Sequence, residues 1–70
     1  MMIKVFKTDV KDQKKALEIK NSIYHNFGIR QVTFDLEDCD RVLRIEATQF
    51  TANEIINNLN NHGFSCEELF

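Results

Sequence analysis

Apolar and polar residues alternate along four short stretches of the chain, and this period of two is typical of β-strands that bury one face. In residues 2–7 the alternation predicts that Ile3 and Val5 lie on one face of a strand and Lys4 and Phe6 on the other. Residues 29–36 and 41–47 alternate in the same way and are joined by a short acidic turn, so they predict a β-hairpin. Residues 64–69 predict a fourth, terminal strand.

Two segments between these strands have apolar residues at the helical spacings of three and four. We expect Asp9 to cap the first helix and Gly28 to end it, with a buried stripe made of Ala16, Ile19, Ile23 and Phe27 and widened by Leu17 and Tyr24. The second helix is expected to begin at a capping box of Thr51 and Glu54 and to end at Gly63, burying Ala52, Ile55, Ile56 and Leu59.

The predicted order of elements is β-α-β-β-α-β. Right-handed crossovers would place the first and third strands in the middle of the sheet and both helices on one of its faces. The sequence therefore predicts one domain over residues 1–70, an α+β ferredoxin-like sandwich with a four-stranded antiparallel sheet and two helices on one face. The opposite face would stay open and carry Lys4, Phe6, Gln31, Thr33, Val42, Arg44, Glu46 and Leu69.

Charge is divided unevenly along the chain, although the net charge of the 70 residues is only −2. Residues 1–30 carry seven basic and three acidic side chains, whereas residues 31–70 carry two basic and eight acidic ones, so the two parts have net charges of +4 and −6. The small total and a third strand without aromatic residues argue against a nucleic-acid partner. No apolar run has the length of a membrane span, and the start is charged from Lys4 onward, so we expect a cytoplasmic protein without a membrane partner.

The two cysteines and the acidic turn are the candidates for metal chemistry. Cys39 and Cys66 are too few for a disulfide framework or a four-ligand zinc site, and we expect them to fall on opposite edges of the sheet. Residues 35–40 hold four carboxylates and a thiol, which we interpret as a solvated hairpin turn, with a divalent-cation site as the alternative. His25 and His62 lie near the ends of the two helices, where they favour a capping role.

No catalytic constellation can be assembled from the sequence, because it lacks the serine-nucleophile, zinc-protease and glycine-rich phosphate-loop motifs. We therefore expect no enzyme activity and no cofactor.

Several apolar positions of the hairpin and the last strand resemble those of the heavy-metal-associated domain of copper chaperones and metal-transporting ATPases. The residues that carry this resemblance are Gly28 and Ile29, then Val32, Phe34, Leu36, Leu43 and Ile45, and finally His62, Gly63 and Phe64. The resemblance implies the same βαββαβ fold. It also implies a metal position at the start of helix one, where the family has a Cys-x-x-Cys motif that clamps a soft ion such as Cu(I).

Counting back from Gly28, the two cysteine positions of the family are held in this chain by Asp12 and Lys15. We therefore expect a module of this fold that lacks the thiolate pair and works by protein association or self-association. The residues expected to take part are Lys11, Lys14 and Lys15 on helix one and Phe6, Val42 and Leu69 on the open sheet face. The alternatives are a metal-handling protein that uses Cys39 or Cys66, including across subunits, and a small-ligand regulatory domain.

Overall fold

The computed structural model describes residues 2–26, 29–37 and 39–69. Its strands and helices are β1 (Met2–Thr8), α1 (Gln13–Asn26), β2 (Ile29–Asp35), β3 (Val42–Ala47), α2 (Ala52–Asn61) and β4 (Cys66–Leu69). The four strands form one antiparallel sheet in the order β2-β3-β1-β4. The predicted ferredoxin-like topology is therefore confirmed, while the predicted roles of Phe27, Gly28 and Asp38 lie outside the described residues.

The hydrophobic core lies between the two helices and one face of the sheet. Each helix contributes its apolar stripe, and the central strands contribute Phe6, Leu43 and Ile45, all with no exposed surface. Among the described residues no helix is long and apolar enough to cross a membrane.

The faces of β1 are the reverse of the sequence prediction. Phe6 pairs with Leu43 and is fully buried under the helices, whereas Ile3 is 51% exposed on the opposite face. The strand has apolar residues on both faces, so its alternation alone does not fix which face is buried. Lys4 is two residues from Phe6 and therefore lies on the same, helix-covered face. Its ammonium lies 3.1 Å from the carboxylate of Glu68, which is directly opposite Phe6 on β4.

The open face of the sheet therefore carries different apolar residues from those expected. The register places Ile3 and Val5 of β1 beside Glu46 and Arg44 of β3. Leu69 of β4 lies next to Val5, and Val42 lies next to Asp35. The predictions that Lys4 and Phe6 belong to this face are wrong, while Val42 and Leu69 are on it as predicted.

Helix α1 is capped by Asp12 and not by Asp9 as the sequence suggested. The Asp12 carboxylate accepts the N–H of Lys14 at 2.9 Å, and its carbonyl accepts the N–H of Ala16, also at 2.9 Å. The helix begins directly after Asp12, at Gln13. Asp9 instead accepts the main-chain N–H of Ser65 at 2.8 Å, which ties the loop after β1 to the loop before β4.

Helix α2 has well-defined ends on both sides. The predicted capping box of Thr51 and Glu54 is present. At the other end, Gly63 has φ = +89°, its N–H donates to the carbonyl of Asn60, and the N–H of Phe64 donates to the carbonyl of Leu59. These two bonds form a Schellman motif, which turns the chain from α2 towards β4. His62 is the C-cap residue, and its Nδ1 lies 2.8 Å from the carbonyl of Asn58.

Candidate functional site

Three loops meet at one end of the sheet, which we call the loop end: residues 9–12 before α1, residues 36–37 and 39–41 between β2 and β3, and residues 62–65 before β4. Thr8 joins two of them, because its N–H donates to the carbonyl of Asp40 at 3.0 Å and its hydroxyl to the carbonyl of Arg41 at 2.6 Å. Asp9 joins the third through Ser65. The loop end is thus held together by hydrogen bonds between segments far apart in sequence.

The start of α1 lies at this loop end, and it is where the family resemblance places a pair of thiolates. Here Asp12 is engaged as the helix cap. Lys15 forms an exposed ion pair with Glu18, one helical turn further on, with 3.5 Å between Nζ and Oε2. An ammonium has no lone pair to donate to a metal, and a carboxylate is a hard ligand that Cu(I) disfavours. The residues at these two positions therefore do not fit a soft metal ion.

The three predicted lysines lie close together in sequence at the start of α1. Lys11 lies in the loop, and Lys14 and Lys15 lie in the first turn of α1, all with exposed side chains. We call Lys11, Lys14 and Lys15 the basic surface. Positive charges at a helix N-terminus oppose the helix dipole, so this placement does not stabilise the helix. The capping carboxylate of Asp12 offsets part of this unfavourable charge.

The acidic turn is organised by local hydrogen bonds. The Asp35 carboxylate accepts the N–H of Glu37 at 3.3 Å, and the guanidinium of Arg41 donates to the carbonyl of Leu36 at 2.6 Å. Arg41 has φ = +47°, a left-handed conformation that its hydrogen bonds hold in place. Asp40 lies 3.8 Å from Lys7 in an exposed ion pair. Within the ranges that the structure describes, no three His, Cys, Asp or Glu side chains are grouped closely enough to hold a metal ion.

The two cysteines are free and lie in different environments. Cys39 is exposed in the turn after β2, and not on the strand itself, whereas Cys66 is partly buried at the start of β4. The order of the sheet places β2 and β4 at opposite edges, as predicted. Burial raises the pKa of the Cys66 thiol from 9.0 to about 12, so this thiol keeps its proton at neutral pH. It lines a cavity of about 260 Å³ between the ends of β1 and β4, together with Asp9 and Ser65.

A second concave surface, which the sequence did not indicate, runs between α1 and the edge strand β2. It has a volume of about 430 Å³, and its lining includes Ala16, Leu17, Lys20, Phe34, Leu36 and Glu37. We call it the α1–β2 groove. Leu17 is 56% exposed and forms part of its apolar lining. The sequence signal for this surface is that Leu17 and Tyr24 widen the apolar stripe of α1.

No protein-family model and no curated protein matches the sequence. Solved structures match it over almost its whole length. The yeast copper transporter domain CCC2A, solved in the apo and Cu(I)-loaded states, has a TM-score of 0.85 at 16% identity and covers 97% of this chain and 94% of its own. The N-terminal domain of PacS from Synechocystis PCC6803 has a TM-score of 0.83 at 10% identity and covers all of both chains.

The first domain of the human copper chaperone for SOD1, solved in a copper(I)-loaded form, has a TM-score of 0.78 at 18% identity, covering 94% of this chain and 89% of its own. The resemblance to heavy-metal-associated domains is therefore confirmed at the level of the fold. At such low identity a shared fold does not carry the activity over.

Proposed function

We propose that this chain is a non-catalytic interaction module with the heavy-metal-associated fold, which binds an acidic protein partner through its basic surface and does not carry a thiolate-bound metal at the start of α1. The observation that supports this most strongly is the role of Asp12 as a helix cap and of Lys15 as an ion-pair partner. Both stand at the positions where the family resemblance places metal ligands, and both are engaged in other interactions.

The second support is the positive charge at the start of α1. Lys11 and Lys14 are exposed there, and Lys15 is only partly neutralised by Glu18, because an exposed pair at 3.5 Å is weak in water. Complementary charge raises the association rate of a partner and selects its orientation. A partner with a cluster of carboxylates is the chemistry that this surface suits.

The test is affinity capture from an extract of the source cells at low and high salt, followed by measurement of binding to each captured protein after purification. We expect the triple variant Lys11→Ala/Lys14→Ala/Lys15→Ala to bind about three- to 100-fold more weakly, since each exposed charge contributes a few tenths of a kcal/mol to about 1 kcal/mol. The matched control is Lys7→Ala/Arg30→Ala/Arg44→Ala, which removes the same charge from exposed sites on β1, β2 and β3. Equal losses in the two triple variants would show that only net charge matters, and no purified partner with a salt-dependent affinity would refute the proposal.

Self-association through the open face is a second route by which the module would work. Ile3, Val5, Val42 and Leu69 lie on that face, among charged side chains of both signs. Sedimentation at several protein concentrations tests it, with Val42→Lys as the variant. A monomer at all concentrations would refute this route while leaving the basic surface untouched.

Metal handling is the alternative function, and it is favoured by the Cu(I)-loaded states in which similar folds have been solved. In this chain the donors would be Cys39 or Cys66, with a second chain completing the site. Competition for Cu(I) against a chelator tests this directly. Binding that is lost in Cys39→Ser or Cys66→Ser, and that rises with dimer concentration, would favour metal handling over the interaction module.

A further inference from the structure

We propose that the α1–β2 groove binds an extended segment of a partner protein as a fifth strand, paired antiparallel to β2. The segment would place an apolar side chain against Leu17, Phe34 and Leu36 and a basic residue beside Asp35 and Glu37. This site does not depend on the function proposed above, because Lys11, Lys14 and Lys15 are not part of the groove.

The first argument is the direction of the main-chain groups of β2. This strand is at the edge of the sheet, with β3 on one side only. The N–H of Val32 donates to the hydroxyl of Tyr24 at 2.9 Å, so it points away from β3. In an antiparallel pair, every second residue directs both its N–H and its C=O outwards, so Phe34 does the same.

The second argument is that the edge is closed at Val32 and open at Phe34. The Tyr24 hydroxyl accepts the hydrogen bond from the outward N–H of Val32, so this N–H is not available to a neighbouring strand. Across the part of the chain that the structure describes, no side chain bonds to the main chain of Phe34. The groove follows β2 from Thr33 to its last residue, Asp35, and continues beside Leu36 and Glu37 of the turn, beginning where the cover by Tyr24 ends. An exposed strand edge is a ready template for another strand.

The third argument is the shape and charge of the groove. Added strands lie about 4.8 Å from the edge and turn alternate side chains to the two faces, so every second side chain of the bound segment would face α1, and one of these would lie near Leu17. Phe34 and Leu36 are half-buried and complete an apolar floor. Asp35 and Glu37 lie at the loop end of the groove, whereas Lys20 lies further along α1 towards the other end. For an antiparallel segment these charges favour a basic residue near its amino end and an acidic residue near its carboxyl end.

The probe is a short synthetic peptide that alternates valine and threonine, with lysine at its amino end and glutamate at its carboxyl end. We add it to the ¹⁵N-labelled full chain and follow amide shifts and hydrogen exchange. The expected result is a saturable shift at Phe34 and its neighbours in β2, with slower exchange of the Phe34 amide. Leu17→Lys should weaken binding about tenfold or more, because the bound segment would cover the apolar leucine and the variant places a charge there.

Three matched controls make the result specific. Ile3→Lys alters a similarly exposed apolar residue, 51% against 56%, on the opposite side of the sheet, and should leave binding unchanged. A peptide methylated on the nitrogens that face β2 should not bind, and a peptide with lysine and glutamate exchanged should bind more weakly. Equal binding by the methylated peptide, no loss in Leu17→Lys, or no shift at millimolar peptide would overturn the proposal.

Tyr24→Phe provides a readout that a simple change of stability would not give. Without the hydroxyl, the Val32 N–H becomes available, and we expect the bound peptide to protect the Val32 amide as well as that of Phe34. If the same amides shift with protein concentration in the absence of peptide, the occupant is a second copy of this chain and the proposal is wrong.

Discussion

The hydroxyl of Thr8 donates to the main-chain carbonyl of Arg41 at 2.6 Å, across 33 positions of sequence. The same hydroxyl accepts the N–H of Val10 at 3.3 Å, and the Thr8 side chain is only 6% exposed. Arg41 has a positive φ, which is an unfavourable conformation for a non-glycine residue. The bond from Thr8 therefore stabilises the hairpin turn at the residue where its backbone is least favourable. The end of β1 thereby determines the position of the acidic turn relative to the start of α1.

Thr8→Val should lower the free energy of unfolding by about 1–3 kcal/mol, because it keeps the shape of the side chain while removing a buried hydroxyl with two hydrogen bonds. Urea unfolding followed by circular dichroism measures it. Thr33→Val, on the exposed face of β2, is the matched control and should change stability by less than about 0.5 kcal/mol. A similar loss in both variants would mean that the hydroxyl of Thr8 has no structural role.

Phe6→Ala should remove about 3–5 kcal/mol, which is comparable with the whole stability of a small domain, so we expect a largely unfolded chain. Ile3→Ala should cost less than about 1 kcal/mol, because that side chain is half exposed on the open face. The dispersion of amide signals in ¹H–¹⁵N spectra distinguishes the two outcomes. If Ile3→Ala proved the more damaging, β1 would have the faces that its alternation first suggested.

This reversal of β1 shows where the sequence pattern is informative. The hairpin was predicted correctly because in β2 one face is apolar and the other polar, so Val32 and Phe34 could be placed without ambiguity. In β1 both faces hold apolar residues, and the buried one is chosen by tertiary packing against α1 and α2. The loop end was predictable only in part. Asp12 was recognised as a family metal position, but its role as a cap depends on where α1 begins, and helix boundaries are poorly specified by pattern.

The α1–β2 groove could not be predicted for a related reason. Its existence depends on how far α1 stands from the edge of β2, a distance set by packing and not by the period of either element. Tyr24 illustrates this. Its position in the sequence assigns it to the apolar stripe of α1. In the structure its hydroxyl accepts a hydrogen bond from the N–H of Val32 in β2, a strand that begins five residues later.

Gly63→Ala should destabilise the fold by about 1 kcal/mol through backbone conformation alone, since φ at this residue is +89° and a Cβ there would meet no atom within 4 Å. Chemical unfolding measures the loss. Asn57→Ala, inside α2, is the control. It should raise stability by about half a kcal/mol, because Asn57 is exposed and asparagine is a poorer helix former than alanine. A much larger loss in Gly63→Ala would point to a steric contact.

Raising the pH above about 9 should weaken the fold through Cys66. Burial raises the pKa of this thiol from 9.0 to about 12, so the unfolded chain loses the proton at a pH where the folded chain still holds it. The stabilising effect is complete below pH 9 and is lost progressively between pH 9 and 12. In a Cys39→Ser background, Cys66→Ala should flatten the fall of stability between pH 8.5 and about 10.5, whereas Cys39→Ser alone should retain it. Identical pH slopes with and without Cys66 would contradict this assignment.

Asp12→Cys/Lys15→Cys should give the chain a Cu(I) site, because the fold matches that of domains solved with copper(I) bound and the two substitutions supply soft donors at the start of α1. The double variant places two soft ligands three residues apart, at the exposed N-terminal end of a helix, where the dipole favours thiolates. Cu(I) titration against a chelator should show one equivalent bound, with each single variant binding far more weakly. Asp12→Cys/Lys14→Cys is the matched control, since it introduces two thiols at the wrong spacing.

Loss of the Asp12 cap should also cost about 1 kcal/mol in the apo form, and bound Cu(I) should more than restore it. A double variant that folds and binds no more Cu(I) than the unaltered chain would show that the loop differs in geometry from a metal-binding loop, and not merely in its ligands.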